Sequence, residues 1–243
     1  MKICIIGNSH VAALKSAWEN HFDESNKRQI NITFFAARGN ALKFLKPDSN
    51  RLIPTTRQLE KSLTFTSAGE TFIDLNAYNA FLLYGLYTDP YHVNDLFYSK
   101  ALTEDFIKEY SSDSLMLSIL EMIPQDLGKK IYIGHNPMYC EKPEVNRQLA
   151  ESPYDYYYRG ISFINDRIFS LYGAELLPQP NHTIAANGRN TLSKYCKGSK
   201  RLAVGKNDDN CLHSGSHNER SHMNDSYGKA WLDQFLLHVA NDQ

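Results

Sequence analysis

Short apolar runs alternate along the chain with stretches of helical periodicity. Five runs predict buried strands, at Lys2–Ile6, Ile30–Ala37, Ala80–Tyr84, Lys130–Ile133 and Ala174–Leu177. Apolar residues spaced by three and four predict helices, at Val11–Phe22, Leu102–Met122 with a break at 111–114, Tyr156–Tyr172 and Asp225–Val239. This alternation predicts a three-layer α/β/α sandwich in a flavodoxin-like layout, with a mostly parallel sheet of about five strands.

Two segments depart from this pattern. Residues 41–78 are mostly irregular, although LTFTSAGETFIDL at 63–75 predicts a small hairpin that turns at Ala68 and Gly69. Residues 181–221 form a long connection, and loops of such length are typically functional or disordered. We expect this loop, with residues 178–181 at its start, to shape a binding pocket. Because no repeat or composition shift marks a boundary, we expect a single domain over residues 1–243.

The composition is that of an ordinary globular protein, with 42% apolar and 22% charged residues. A net charge of -1 gives no electrostatic reason to expect nucleic acid or an anionic membrane as a partner. No stretch approaches the roughly 20 apolar residues needed to span a bilayer. The first apolar run is too short for a signal peptide, so we expect a cytoplasmic location. The sequence does not indicate an oligomeric state.

Because no CxxC spacing occurs, the cysteines indicate neither a zinc ribbon nor a redox pair. Four cysteines in a chain of this length do not predict a disulfide framework. They stand at Cys4, Cys140, Cys196 and Cys211. Cys4 lies in an apolar run and is expected in the core. Metal-ligating residue types also collect near the C-terminus, at Cys211, His213, His217 and His222. Their spacing matches no zinc pattern, so we expect no bound metal and interpret the segment as a polar loop.

The first predicted strand ends in Gly7-Asn8-Ser9-His10. Ser9 stands between strand and helix, where its Oγ would project over the carboxyl edge of the sheet. Its N–H would belong to the helix N-terminus, which suits a nucleophile with a built-in oxyanion donor. The alternative is that Ser9 or Asn8 only caps the helix, and this stretch alone favours the cap. A dinucleotide site and a P-loop are disfavoured, because the further glycines of GxGxxG and the GK[ST] element are absent.

A nucleophilic serine requires a base, and one of the nine histidines stands in an informative context. His222 precedes the last predicted helix, and Glu219 stands three residues before His222. A carboxylate at this spacing can reach Nδ1 and orient the ring while Nε2 faces the serine. The alternative is a histidine that merely flanks a helix in a polar loop.

Together the two blocks, GNSH at 7–10 and ERSH at 219–222, resemble the first and last blocks of the SGNH/GDSL hydrolase family. In that family the serine after the first strand is the nucleophile, and a DxxH block supplies the acid and the base. The resemblance implies a catalytic triad of Ser9, His222 and Glu219 and no metal or organic cofactor. It also implies that the N–H groups of Ser9 and Gly39 hold the oxyanion. The alternative for Gly39 is a simple turn residue.

The chain departs from this family in two places. The GxND block is missing, because no Asn stands two residues after Gly85 in GLYTD. Asn136 in GHN has the right spacing but follows the fourth predicted strand instead of the third. Three explanations stay open: the strand count is off by one, another donor substitutes, or the oxyanion hole has only two backbone donors. Glu219 replaces the usual Asp. If Glu219 points to solvent, a backbone carbonyl could orient His222 and leave a Ser-His dyad.

The sequence therefore predicts a serine-dependent ester hydrolase that acts through an acyl-enzyme. Because the family includes carbohydrate O-acetyl esterases and O-acyltransferases, we expect a small-molecule or glycan ester as substrate. The tyrosines at 154–158 fit this, since some would pack in the core and others on a rim suited to sugar rings. Two alternatives stand: acyl transfer to a sugar hydroxyl at the same site, and a non-catalytic glycan-binding protein on the same fold.

Overall fold

The computed structural model describes residues 1–91, 99–111, 114–141, 153–206, 208, 212 and 220–242. In chain order, these residues form the strands β1 (Lys2–Gly7), β2 (Asn31–Ala36), β3 (Leu45–Asp48), β4 (Arg51–Pro54), β5 (Ile73–Asp74), β6 (Ala80–Tyr84), β7 (Lys130–Gly134) and β8 (Ala174–Leu177). The α-helices are α1 (Val11–His21), α2 (Glu24–Gln29), α3 (Arg57–Thr66), α4 (Lys100–Ser111), α5 (Leu115–Glu121), α6 (Pro153–Arg167) and α7 (Asp225–Asn241). None of these helices is long and apolar enough to cross a membrane.

The main sheet contains the five strands that the sequence predicts, in the order β2-β1-β6-β7-β8. Every pair in it is parallel, and β1 lies between β2 and β6, with Ile5 opposite Phe34 and Leu82. The predicted fold class is confirmed. Because the strands run parallel, the segments that follow them meet at one carboxyl edge of the sheet, the usual place for a ligand in such folds.

Helices cover both faces of the sheet, which explains why its strands are continuously apolar rather than alternating. On one face, Ile3 and Ile5 of β1 pack in a core shared with α1 and α7. On the other face, Cys4 and Ile6 pack in a core shared with α3, α5 and α6. The predicted break at 111–114 is present, since Ser114 caps α5 by accepting a hydrogen bond from the Leu117 N–H.

The predicted hairpin at 63–75 is wrong. Residues 57–66 form α3, whose Thr56 cap accepts a hydrogen bond from the Leu59 N–H. The local alternation LTFT suggests a strand, but the buried residues of α3 follow at spacings of three and four, which place them on one face of a helix and on both faces of a strand. They are Leu59, Ser62, Leu63 and Thr66. The segment's strands instead flank α3, where β3, β4 and β5 form a small antiparallel sheet.

The packing of α7 on α1 requires a glycine. A Cβ at Gly228 would collide with the Ala13 carbonyl oxygen and lie 2.9 Å from the Leu14 backbone nitrogen. The two helices therefore approach with backbone against backbone. This contact is relevant to the site, because the segments just before the two helices carry Ser9 and His222.

Replacing Gly228 with Ala is expected to lower the free energy of unfolding by about 1–3 kcal/mol, because the helices must separate. The loss would outweigh the higher helix propensity of Ala. At about 2–4 °C per kcal/mol for a domain of this size, calorimetry would detect the fall in Tm.

Gly205→Ala is the matched control for this experiment, because a Cβ at Gly205 meets open space. We expect its stability to stay within about 0.5 kcal/mol of the parent. A Gly228→Ala protein as stable as the parent would show that the close helix contact is not required.

Candidate functional site

Ser9 and His222 meet at the carboxyl edge of the sheet. The Ser9 Oγ lies 3.0 Å from the His222 Nε2, although the two residues are 213 positions apart. The Ser9 side chain does not cap α1: His10 is the cap residue, and the helix has no side-chain cap hydrogen bond. Asn8 accepts a hydrogen bond from the His10 N–H at 3.1 Å, so the cap interpretation is wrong for Ser9 and partly right for Asn8.

The turn that carries Ser9 is held by its neighbours. Asn8 is buried, and its side chain lies against Gly85 at the end of β6, where a Cβ would come within 2.5 Å of the Asn8 Oδ1. Gly85 also has a φ of +77°, a conformation that glycine adopts without strain. The loop after β6 therefore needs a glycine here to accommodate Asn8, and Asn8 in turn fixes the turn before Ser9.

The His222 ring has further contacts besides Ser9. Its Nδ1 lies 3.2 Å from the Ser221 Oγ, and the His10 ring stacks on it with a centroid separation of 4.8 Å. If Nε2 accepts the Ser9 proton, Nδ1 carries the ring hydrogen and can donate it to Ser221. Glu219, the predicted orienting acid, lies outside the described residues, so its role stays a prediction.

The short segment around His222 is held on both sides by backbone hydrogen bonds. On one side, the Cys140 N–H donates to the Arg220 carbonyl at 2.8 Å, and the Arg220 guanidinium donates back to the Cys140 carbonyl. On the other side, the Asn224 N–H donates to the Tyr195 carbonyl at 2.7 Å. Asn224 also caps α7 by accepting from the Tyr227 N–H. His222 is thus flanked two residues away by fixed positions.

A disulfide joins the two segments that hold His222. Cys140 and Cys196 are bridged, with their Cα atoms 6.5 Å apart, and the Cys196 sulfur lies 3.5 Å from the Met223 sulfur. The sequence predicts no disulfide framework, and this expectation fails for this pair. The 56-residue separation gives no local spacing signal to recognise. Cys4 is free and buried, as expected, and burial raises the pKa of its thiol.

Gly39 lies beyond the end of β2, next to the strand that leads to Ser9. Its φ is +58°, and the position of a Cβ there would be 3.8 Å from the Tyr87 Oη. Among the described residues, neither the Ser9 N–H nor the Gly39 N–H has a hydrogen-bond acceptor. Both N–H groups can therefore serve an external acceptor, as the predicted oxyanion role requires, and that role stays a prediction.

Asn136 is at the same edge but its amide is engaged. Its Nδ2 donates to the Asp89 Oδ1 at 2.9 Å, and its backbone N–H donates to the Thr88 carbonyl at 2.6 Å. It lines a cavity of about 280 Å³ together with His10 and Ser221. The strand count was right, because Asn136 follows β7, the fourth strand of the main sheet in chain order.

Tyr87 occupies the place where the resemblance leads one to expect an Asn, two residues after Gly85. Leu86 and Tyr87 have φ values of +55° and +63°, a strained conformation for residues with side chains. The Tyr87 ring is exposed and its hydroxyl lies beside Gly39. Sequence reasoning missed this residue, and the only signal was the missing Asn itself.

A buried polar network fixes the segment after β7. The Gln179 N–H donates to the Tyr157 hydroxyl oxygen at 2.6 Å, and the same hydroxyl lies 2.6 Å from the His135 Nε2. The Gln179 side chain accepts from the Met138 N–H at 3.1 Å. Tyr157 is therefore a core residue of the tyrosine run, and burial raises its pKa. Gln179, at the start of the long loop, holds Met138 at the wall of the cavity of about 280 Å³ that Asn136 also lines.

Cys211, His213 and His217, where the sequence predicts a polar loop without a metal, lie outside the described residues. Within the described part of the chain, one group of metal-ligating side chains occurs, Glu175, His238 and Asp242, with ligand atoms within 4.8 Å of one another. Lys130 at the start of β7 lies 3.9 Å from Asp242, so the group is at the amino edge of the sheet, opposite Ser9.

The structure thus brings together Ser9 and His222 and places Gly39 and Asn136 along the same edge. Comparison with known proteins adds nothing to this geometry: neither protein-family models nor curated proteins give a match to the chain. The family resemblance stays a prediction from the two sequence blocks.

Reducing the Cys140–Cys196 disulfide is expected to loosen the segment that holds His222. A disulfide typically contributes about 2–4 kcal/mol, so local opening should become at least about tenfold more frequent. Native-state hydrogen exchange would show this at the amides of Cys140 and Asn224 after reduction. The Ala37 amide, bonded to the Gly7 carbonyl, is the internal control. Unchanged exchange at Cys140 and Asn224 in fully reduced protein would contradict the bracing role.

Proposed function

We propose that the protein is a serine-dependent ester hydrolase that acts through an acyl-enzyme on Ser9. The observation that carries the proposal is the 3.0 Å contact between the Ser9 Oγ and the His222 Nε2. A hydroxyl within hydrogen-bond reach of an imidazole, at the carboxyl edge of a parallel sheet and just before a helix, has the geometry of an activated nucleophile.

In the proposed reaction, the Ser9 Oγ attacks the acyl carbonyl and its proton passes to the His222 Nε2. The tetrahedral intermediate collapses when the C–O bond to the alcohol breaks, and His222 gives its proton to that alcohol. A water molecule then attacks the acyl-enzyme with His222 as base. This releases the carboxylic acid and restores the Ser9 hydroxyl.

The imidazolium that forms needs an acceptor at Nδ1. Glu219 is the acceptor that the sequence predicts, and the Ser221 Oγ at 3.2 Å is the acceptor found among the described residues. A carboxylate would stabilise the positive ring more strongly than a hydroxyl. With Glu219 the site is a triad, and with Ser221 alone it is a dyad supported by a neutral group.

The proposed oxyanion site uses the N–H groups of Ser9 and Gly39. A third donor comes from one of two side chains, Asn136 as predicted from its spacing or Tyr87 from its hydroxyl beside Gly39. Asn136 has one amide hydrogen committed to Asp89, which leaves its second hydrogen for the substrate.

The substrate that we propose is an O-acetyl group on a carbohydrate. The same acyl-enzyme could pass its acyl group to a sugar hydroxyl instead of water, which would make the protein an O-acyltransferase. A non-catalytic glycan-binding protein is the remaining alternative, and the missing GxND block is the observation in its favour. No metal or organic cofactor enters the proposed reaction.

The cellular location of the protein is also a proposal. The sequence suggests a cytoplasmic location, and this stays a prediction. The Cys140–Cys196 disulfide counts against it, because reducing compartments keep thiols reduced while oxidising ones preserve disulfides.

Ser9→Ala and His222→Asn are each expected to lower kcat for 4-nitrophenyl acetate by more than about 10³-fold, because each removes one half of the nucleophile–base pair. Steady-state hydrolysis, followed as release of nitrophenolate, measures the effect. Ser226→Ala, at an exposed position of α7, is the matched control and should retain full activity. Equal activity in Ser9→Ala and Ser226→Ala proteins would overturn the proposed function.

The third oxyanion donor is identified by comparing Asn136→Ala with Tyr87→Phe. Loss of a true oxyanion donor is expected to lower kcat by about 10²–10³-fold with little change in KM. The other variant should stay within a few fold of the parent. If both variants keep full kcat, the oxyanion is held by backbone donors alone.

A further inference from the structure

A second and larger cavity, of about 620 Å³, lies beside the proposed catalytic edge. The residues that line it include Asn40, Lys43, Tyr87, Thr88, Asp89 and Tyr110. Its size falls within the range of ligand pockets in proteins, about 300–1,000 Å³. Apart from Tyr87, a candidate oxyanion donor, the residues that line this cavity have no part in the proposed chemistry at Ser9.

The cavity adjoins the oxyanion region through two chain segments. Asn40 directly follows Gly39, and Tyr87 has its hydroxyl beside that glycine. Thr88 and Asp89 belong to the loop that begins at Gly85, which packs on Asn8 next to Ser9. Asp89 also lines the smaller cavity that contains His10 and Ser221. A ligand in the larger cavity would therefore lie next to Gly39, the proposed oxyanion donor.

Two hydroxyl groups in the wall have no hydrogen-bond partner in the described part of the chain. Thr88 is 4% exposed, and neither its Oγ1 nor the Tyr110 Oη has a hydrogen-bond partner among the described residues. Buried polar atoms in native proteins are nearly always hydrogen-bonded, so unpartnered ones require an explanation such as a ligand. Burial and the nearby Asp89 both raise the pKa of Tyr110, which keeps its hydroxyl protonated and able to donate.

The remaining lining indicates a neutral ligand with both polar and apolar surfaces. Lys43 is matched by two carboxylates, Asp89 and Glu109, so the wall has no excess positive charge to hold a phosphate or a carboxylate. Leu115 and Met122 provide apolar surface beside the hydroxyls. A sugar ring combines these requirements, since its hydroxyls donate and accept while its C–H faces pack on apolar groups.

We propose that this cavity binds a neutral pyranose ring and thereby positions the alcohol part of an ester substrate, with Thr88 and Tyr110 as hydrogen-bonding groups. The positioning role rests on the proposed ester hydrolysis at Ser9. The binding of the ring does not, because none of the binding groups belongs to the nucleophile–base pair. The two can therefore be tested separately.

The binding test uses the Ser9→Ala protein, which holds the cavity but cannot react. Methyl glucopyranoside, methyl galactopyranoside and methyl xylopyranoside are titrated and followed by saturation-transfer NMR. We expect at least one glycoside to bind saturably. Adding Thr88→Val or Tyr110→Phe should raise its Kd about tenfold, the effect of losing one hydrogen bond. Tyr172→Phe, which removes an exposed hydroxyl bonded to Glu121, is the matched control and should not alter binding.

Absence of binding for all three glycosides, or binding that neither cavity variant weakens, would overturn the proposal. In the catalytic test, both cavity variants should lower kcat/KM about tenfold more for the mono-O-acetylated form of the glycoside that binds than for 4-nitrophenyl acetate, which has no sugar ring. Equal values for that acetylated glycoside in parent and variants would overturn the positioning role. If neither ester is hydrolysed by the parent, the proposed function fails while the binding test still decides the cavity.

Discussion

The close approach of α1 and α7 is the constraint on which the candidate site depends. Ser9 and His222 belong to opposite ends of the chain, and each stands just before one of these two helices. The helices bring the two residues together only because Gly228 lets the α7 backbone contact the Ala13–Leu14 backbone. A side chain at that point would separate the helices and with them the hydroxyl and the imidazole, whose hydrogen bond depends on tenths of an ångström.

Hydrogen bonds hold each of the other segments at the sheet edge in place. Asn8 fixes the turn before Ser9, Gln179 fixes the segment after β7, and Cys140 and Asn224 hold the two sides of His222. Positioning groups of this kind allow a reaction to proceed without reorganising the protein at the moment of charge development. The loops that carry chemistry are thus supported by the packed layers beneath them.

Much of this architecture could be predicted from the sequence, because the apolar runs are long enough to identify the five parallel strands and the helices between them. The partnership of Ser9 with His222 was predictable only by reading both ends together. The hairpin prediction failed because LTFT alternates locally, whereas the buried side chains of α3 pack against β2 of the main sheet. Periodicity within a short window cannot show such tertiary packing.

Other parts of the site depend on contacts that no local pattern contains. The Cys140–Cys196 bridge joins two irregular segments, and the hydroxyl of Tyr87 reaches Gly39 through a strained loop. The direction of the Asn136 amide is decided by Asp89, 47 residues away. These contacts depend on the tertiary fold, and the sequence alone shows only which residue types are present.

The central claim is that Ser9 is a nucleophile activated by His222, and trapping the covalent adduct tests it most directly. The folded protein is treated with a serine-reactive fluorophosphonate, digested, and mapped by mass spectrometry. We predict one adduct, on Ser9, whose formation is slowed by orders of magnitude in the His222→Asn protein and is abolished by prior unfolding. An unlabelled Ser9 in folded protein, or labelling at the same rate with and without His222, would contradict it.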